Sequence, residues 1–589
     1  MSTQSLPVSY ATGRRPGEPS RAWHIAKRLL RWGALFLGAV VVAGLVAWLL
    51  GGQSPALLYT ALTDTQTPTS DISGVAVSLL VGVTLLMLLV ALVRFVLKFG
   101  RGPLAMARLV LDEALRNRVV VVIGGLLLIV LSWLPAAADL NQPLEYRIQT
   151  YLSLSLATVS LLLGAVTIFF ACLSVSTDLA PGQTYDVFVK PVSRGSYLLG
   201  KWLGISLLNL CLLVSSFGVI YFGSSVWLGH MPALDELDRI ATDNQVLTAR
   251  RAVNPQPPSL TEEARQRFLQ QDVPDFVRRF IGDPLEAYAA SAWQTVLDAR
   301  DGDQAFIDEA GGEAALFGQL LQQRQNEFLA IPPDTGRRYT FTGMGDIDRE
   351  SGQMLQLRYK LDESAGYDRE RTILLQIITD RGPTRPMPVD TVADEWQTQP
   401  INVSFINDAG VLDLVIINPV IPGRQPNTLN FEAADGLRIL YTEGGFGINL
   451  AKSGAMLMAK LMALAMLGLA AAAALSFPVA ATLSLVVWLL ASAGTFLSDA
   501  LRGTNRGVIA ETPGVGLAYN LIIEGIGFAV ALLRPFSSLD TRAFLIEGLL
   551  IPGERLAWNV SMVGLVTTLG LFLFGWFILS RREIARVQV

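Results

Sequence analysis

The chain has 589 residues, of which 51% are hydrophobic and 16% charged, against about 25% charged in an average soluble protein; its mean hydropathy is +0.43. That balance belongs to a polytopic membrane protein. Two cysteines exclude a disulfide scaffold, and the only histidines, His24 and His230, are too far apart to suggest a zinc or di-iron centre. No cofactor or metal is therefore expected in this chain. The net charge of -4 conceals an asymmetry: basic residues gather beside apolar runs and acidic ones in one long polar insert. Such a pattern carries membrane topology, not nucleic-acid binding.

A membrane-crossing helix needs about 20 mostly apolar residues. Such runs occur near 33–51, 75–97, 119–138, 151–175 and 202–228, then at 453–474, 478–498 and 557–580, with a weaker run at 514–533. The segment before the first run carries Arg14, Arg15, Arg21, Lys27, Arg28 and Arg31 and shows no cleavage site after the run. It reads as a signal anchor with a cytoplasmic N-terminus. Loop charges alternate through the first runs, with Arg94, Lys98, Arg101, Arg108, Arg116 and Arg118 inside, and later Lys190, Arg194 and Lys201 inside. The large insert is then outside the cytoplasmic (inner) membrane. The run at 514–533 holds Asn520 and Glu524 near its middle, where a charge facing lipid costs a few kcal/mol. A re-entrant helix is the cheaper solution, with these two residues as candidate pore groups. The expected fold is about eight spans plus this re-entrant segment.

The chain thus divides into a cytoplasmic segment 1–32, a first membrane half 33–228, an insert 229–450, a second membrane half 451–580 and a cytoplasmic tail 581–589. Within the insert, 233–331 shows helical spacing, as in Phe268, Val273, Phe276, Val277 and Phe280. From 338 to 450 the period becomes two. The runs Tyr339 to Met344, Met354 to Leu361, Thr372 to Thr379, Ile401 to Phe405, Val411 to Asn418, Thr428 to Phe431 and Leu437 to Thr442 are bounded by Gly, Asp, Asn and Pro. About seven short strands at this spacing predict a β-sandwich at the end of an α+β insert. The exposed side chains of "VLDLVIINPV", Val411 to Val420, and the Trp396 segment are a candidate ligand face, against the plainer expectation of core plus solvent face.

The cytoplasmic stretch from 177 to 200 carries the most chemistry. Gln183 to Val189 is long enough for about two helical turns, with Tyr185 and Phe188 on one face. Pro191 ends that helix, and Ser193 is set to cap the next one, which enters the membrane past Lys201. The prediction is a short amphipathic helix held between two spans. The residues "KPVSRGSYLLGKWLG", together with Asp178, resemble the signature of ABC-2 type transporter permeases: an acidic start, a short helix, a Lys-Pro-x-Ser-Arg turn and a Gly-Lys at the next span. Asp178, Lys190, Pro191, Ser193, Arg194, Gly200 and Lys201 match these positions, and the final "FILSRREIA" is similar to the Arg-Arg-Glu exit of that family. The chain departs from it at Ala180-Pro181-Gly182, where relatives place a basic-Thr pair.

The resemblance implies the permease subunit of an ABC exporter, with Asp178, Tyr185, Phe188, Lys190, Pro191, Arg194 and Lys201 coupling it to an ATPase. That ATPase would be a separate polypeptide binding ATP and Mg²⁺, and two permease copies, alike or different, would meet within membrane lipid. "GSYLLGKW", Gly195 to Trp202, mimics a phosphate-binding loop, but Trp202 replaces the Ser or Thr that ligates Mg²⁺ and no strand precedes it. "LLGGQ", Leu49 to Gln53, is likewise a chance fragment. This chain is therefore not expected to be an enzyme.

Lys460 is expected to snorkel, and Cys172 and Cys211 to pack inertly in their spans. The segment from Gly100 to Arg118 reads as an interfacial helix or a second ATPase contact. Two rival functions share much of this topology. A membrane-anchored sensor or assembly protein would use the outer domain without transport, and a secondary transporter would need ionisable groups at the bilayer midplane, where only Glu524 and Lys460 come close.

Overall fold

The computed structural model describes residues 69–116, 118–139, 141–178, 193–270, 273–302, 304–345, 347, 354–362, 370–422, 426–432, 436–492 and 539–581. The runs at 33–51 and 514–533 and the helix expected at 183–189 lie outside them.

In chain order the elements begin with α1 (Thr69–Leu97), α2 (Pro103–Arg116), α3 (Arg118–Trp133), α4 (Leu144–Asp178) and α5 (Arg194–Tyr221). Then come α6 (Glu236–Ala241), β1 (Thr248–Val253), α7 (Glu262–Gln270), α8 (Asp275–Arg278), α9 (Glu286–Gly302), α10 (Gln304–Ala310) and α11 (Glu313–Phe328). A strand series follows: β2 (Ala330–Ile331), β3 (Thr335–Phe341), β4 (Met354–Lys360), β5 (Glu370–Thr379), β6 (Gly382–Pro383), β7 (Met387–Val392), β8 (Trp396–Asn402), β9 (Leu412–Asn418), β10 (Leu429–Asn430) and β11 (Leu437–Gly445). The chain closes with α12 (Phe446–Ala474), α13 (Phe477–Ser492), α14 (Arg542–Ile546), α15 (Gly553–Asn559) and α16 (Thr568–Arg581).

Among the described residues, 6 helical stretches are long and apolar enough to cross a membrane: Ser73–Leu97, Val120–Ala137, Leu144–Asp178, Arg194–His230, Phe446–Ala474 and Gly553–Arg581. Each coincides with an apolar run of the sequence. Of the run at 478–498 the described residues cover the helix α13, Phe477–Ser492, and 493–498 lie outside them.

The chain forms two compact units, one of Met1–Arg239, Leu464–Ala481 and Leu571–Val589, the other of Ile240–Ala463 and Thr482–Gly570. In the first, α2 buries Ala107, Val110, Leu111 and Ala114, the i, i+3, i+4, i+7 stripe of an amphipathic helix. It lies against α5 at two glycines. A Cβ on Gly200 would come 2.4 Å from the Met106 Cβ, and one on Gly204 would come 2.7 Å from the Val110 Cβ, so this small-x-x-x-small pair lets the backbones approach closely. The "GKWLG" of the sequence is thus a packing device.

The second unit holds the β-sandwich. One sheet has the order β1-β11-β4-β8, and the other β3-β9-β5 with β6 and β7 both paired to β5. All these pairs are antiparallel. Alternate residues such as Leu355, Leu357 and Tyr359 of β4 and Leu412, Leu414 and Ile416 of β9 fill the space between the sheets, as the period of two requires. The helices α7 to α11 form a separate core around Trp293 and Phe317, with Phe276 edge-on to both at 5.8 and 5.6 Å.

The structure corrects two boundaries. The part expected to be helical from 233 to 331 contains β1, which pairs with β11 and so belongs to the sandwich. The strand expected at Ile401 to Phe405 runs instead from Trp396 to Asn402, where the Asn402 side chain accepts the Ser404 amide and starts a 3₁₀ turn. Polar Gln397, Thr398 and Gln399 hid this strand because it is an edge, paired only through β4.

Candidate functional site

Of the residues singled out from the sequence, Asp178, Ser193, Arg194, Gly200 and Lys201 lie in the first unit. Tyr185, Phe188, Lys190, Pro191, Asn520 and Glu524, with Leu49 to Gln53, lie outside the described residues. Ser193 caps α5 as its position suggested, its hydroxyl accepting the Ser196 amide at 3.2 Å. Arg194 donates to the Leu579 carbonyl at 2.8 Å and to the Ser580 carbonyl, both at the end of α16. It thus satisfies two of the last carbonyls of that helix, where a cation is also favoured by the helix dipole.

One helical turn further along α5, Tyr197 and Lys201 stand four residues apart on one face and meet the last turn of α4. The Lys201 ammonium, with its side chain only 1% exposed, sits 2.7 Å from Asp178 Oδ2. It also donates to the Ser174 carbonyl at 3.0 Å and the Ser174 Oγ at 2.9 Å. Glu113 of α2 is 3.8 Å away. Tyr197 donates to the same Asp178 oxygen at 2.8 Å. Burying an ammonium is costly unless its donors are used and its charge answered; here Asp178 answers it and Ser174 takes the remaining donors. The pairing also offsets a conflict at the α4 terminus, where Asp178 stands at the negative end of the helix dipole and Lys201 supplies the compensating charge.

This arrangement ties the end of α4 to the start of α5, the two ends from which the segment 179–192 departs. It does not form a phosphate cradle. Gly195 to Trp202 lies within α5 and is helical, and the lysine that would reach a phosphate is engaged with Asp178. No group of three or more His, Cys, Asp or Glu suited to a metal occurs among the described residues. Cys172 and Cys211 are buried. Sequence reasoning missed Glu113, Ser174 and the part played by Tyr197. Only Glu113 left a signal, as one of two carboxylates, with Asp112, inside the mostly basic stretch from Arg94 to Arg118.

A second polar cluster lies in the other unit, on the face of the β1-β11-β4-β8 sheet that points away from the sandwich core. Arg358 of β4 and Arg438 of β11 are register partners. They reach the same Glu547 oxygen at 3.0 and 2.8 Å. Arg250 of β1 donates to the Glu547 carbonyl at 2.6 Å and to the Gln356 side chain. The Trp396 ring lies 4.5 Å from the Arg358 guanidinium and 4.9 Å from that of Arg438, cation–π contacts that use its face. The Trp396 segment, expected as a candidate ligand face, therefore spends much of its surface on these arginines.

Glu547 belongs to a strap, 539–552, laid along β1 and the first turns of α12. Leu550 donates to the Arg250 carbonyl at 2.7 Å and Arg250 to the Gly548 carbonyl at 2.8 Å. Asn449 donates to Leu549 and accepts from Ile551, and Lys452 donates to Ile551. Gly548 has φ +58° and no room for a side chain, since a Cβ would come 2.1 Å from the Gln245 carbonyl. At the strap's start, burial acts to raise the Asp540 carboxyl, but its Arg542 partner prevails and holds it below the ordinary carboxylate value.

Comparison with family models, with curated proteins and with solved structures returned no match. What stands on the structure alone is a helix-rich chain with, among the described residues, 6 helical stretches long and apolar enough to cross a membrane and a β-rich region in its C-terminal half.

Proposed function

We propose that the chain is the permease subunit of an ABC-2 type transporter, an exporter of the cytoplasmic (inner) membrane driven by an ATPase on a separate polypeptide. The observation that supports this most is the joining of Asp178 and Lys201, with Tyr197 beside them, at the two helix ends that flank 179–192. These are positions at which the sequence resembles the family signature. In this reading the helix expected from Gln183 to Val189 meets the ATPase through Tyr185 and Phe188. Lys190, Pro191 and Arg194 fix its exit, and Asp178 with Lys201 makes α4 and α5 respond together when it is pushed. Arg194 carries the movement to α16 through its hydrogen bonds to Leu579 and Ser580.

The N-terminus and the segment 179–192 would then be cytoplasmic and the sandwich domain outside. ATP and Mg²⁺ would be held by the partner, and two permease subunits, identical or different, would complete the complex. Asn520 and Glu524 remain candidates for polar groups along the path.

The test is affinity purification of the tagged chain from its native membrane in mild detergent, with mass spectrometry and an ATPase assay on the eluate. A co-purifying ABC ATPase whose hydrolysis falls several-fold with Phe188→Ala or Arg194→Glu, while the variants keep the parent's elution profile, is the expected result. Recovery of partners of the sandwich domain without any ATPase would instead select the sensor or assembly reading.

A further inference from the structure

The corner between α1 and α2 carries features that the proposed coupling does not use. Along the end of α1, Leu88, Leu92 and Phe95 follow at i, i+4 and i+7 on one helix face, all exposed, and Phe99, 72% exposed, follows in the turn after the helix. That face belongs to an apolar stretch able to cross a membrane. The apolar character continues beyond Arg94 through Phe95 and Val96, the last turn of that stretch, to Phe99. Phe95 and Phe99 stack edge to face at 5.5 Å, Val96 is also exposed, and Leu104 of α2 is 44% exposed.

Set among these apolar groups are basic ones. Between 94 and 116 the charges are Arg94, Lys98, Arg101, Arg108 and Arg116 against Asp112 and Glu113. Asp112 hydrogen-bonds Arg94 and lies 3.9 Å from Arg108, and Glu113 faces Lys201, so five basic residues stand against two carboxylates here. Lys98 and Arg101 are exposed, and the Arg108 side chain is 48% exposed with its nearest carboxylate contact at 3.9 Å. The turn is held in place by Gly102, with φ +59°, and by α2 packing on Gly200 and Gly204.

We propose that this corner is a docking patch for anionic phospholipid headgroups. Phe95, Val96, Phe99 and Leu104 enter the interfacial layer, and Lys98, Arg101 and Arg108 engage headgroup phosphates. Two observations select this occupant. The apolar part is continuous with a helix face able to lie in the bilayer, and the charge beside it is net positive, complementary to an acidic leaflet. The long basic side chains can lay their stems on the aromatic groups while their heads reach the phosphates.

The test uses the full chain carrying Phe99→Cys labelled with a bimane dye; Cys172 and Cys211 are buried, so labelling is directed to the new site. In nanodiscs of phosphatidylcholine with about a third phosphatidylglycerol, the dye is expected to shift to the blue and to be quenched by headgroup-labelled lipid. Both effects should weaken in phosphatidylcholine alone. Lys98→Gln, Arg101→Gln and Arg108→Gln together should abolish the difference. They should also lower the phosphatidylglycerol retained after detergent extraction by more than tenfold, each charge near an acidic surface contributing about fivefold. A labelled chain with unchanged elution profile guards against misfolding. A dye that stays in water in both lipids overturns the proposal, and so does shielding indifferent to phosphatidylglycerol. Shielding that appears only when an ATPase is added assigns the patch to a protein instead, and displacement by millimolar inorganic phosphate assigns it to a free anion; either result also overturns it. Because the assay contains no ATPase by default, its failure leaves the permease reading standing.

Discussion

The two polar clusters solve opposite problems. In the first unit one lysine is buried between helices and faces two carboxylates, Asp178 at 2.7 Å and Glu113 at 3.8 Å. In the second, two arginines converge on one side-chain oxygen of Glu547 while a third takes its main-chain carbonyl. A lysine is a compact point charge whose donors can turn toward a carboxylate, a carbonyl and a hydroxyl at once. That suits the crowded crossing of two helix ends. Arginine is planar and stacks, so the sheet face can set two guanidinium groups against Trp396 and still aim them at one acid. The lysine cluster holds ends of helices that flank a segment, and the arginine cluster holds a strap across a sheet.

The comparison is broken most directly at the lysine. Lys201→Met leaves Asp178 at the α4 terminus without its cation and is expected to destabilise the first unit by about 3–5 kcal/mol, the range for removing one partner of a buried pair. It should appear as a lower unfolding temperature of the purified chain in detergent. Adding Asp178→Asn should restore part of the loss. An unchanged transition in the single variant would mean that the pair is solvated and carries little.

Glu547→Gln keeps the size and hydrogen-bonding capacity of the side chain but removes the charge facing Arg358 and Arg438. The expected loss is about 1.5–3 kcal/mol, smaller because Glu547 is 31% exposed. Protease susceptibility of the strap should rise with it. A strap as resistant as the parent's would show that the backbone bonds to Arg250 and Asn449 hold it unaided.

The smallest effect concerns a single ion pair of the sandwich. Arg338 hydrogen-bonds Asp413 and, with Thr340, holds its carboxyl below the ordinary value against the effect of burial. A depressed folded-state value gives stability that is present above the unfolded-state pKa of about 3.9 and is lost as pH falls through the lower folded value. Unfolding temperatures of the parent and of Asp413→Asn should differ slightly near pH 6 and converge once the pH falls below the lowered folded-state value. Because Arg338 is 57% exposed, the difference should stay under about 1 kcal/mol. A gap that widens in acid would contradict this sign.

Much of the fold was legible because its signals are local. Apolar runs found the described helices long and apolar enough to cross a membrane, and alternation found β3, β4, β5, β9 and β11, since each needs only its own residues to show a period. β1 and β7 were missed and β8 was placed several residues late, because edge strands such as those with Arg250, Arg251, Gln397 and Gln399 have no reason to alternate cleanly. In the candidate site, Ser193 was legible as a cap and Lys201 as part of a signature. Glu113 was not, because it lies 88 positions before Lys201 and only the packing of α2 on Gly200 and Gly204 brings it near.

The sequence by itself determined the membrane class, the positions of the apolar helices, the large α+β insert and the family resemblance, all of which rest on composition, periodicity or contiguous motif. Tertiary structure alone decided which charges meet. Lys201 reaches Asp178 because two helix ends cross, and Glu547 reaches Arg358 and Arg438 because a strap far along the chain lies on a sheet. Electrostatic pairing acts over a few ångströms in space, and sequence separation carries no measure of that distance.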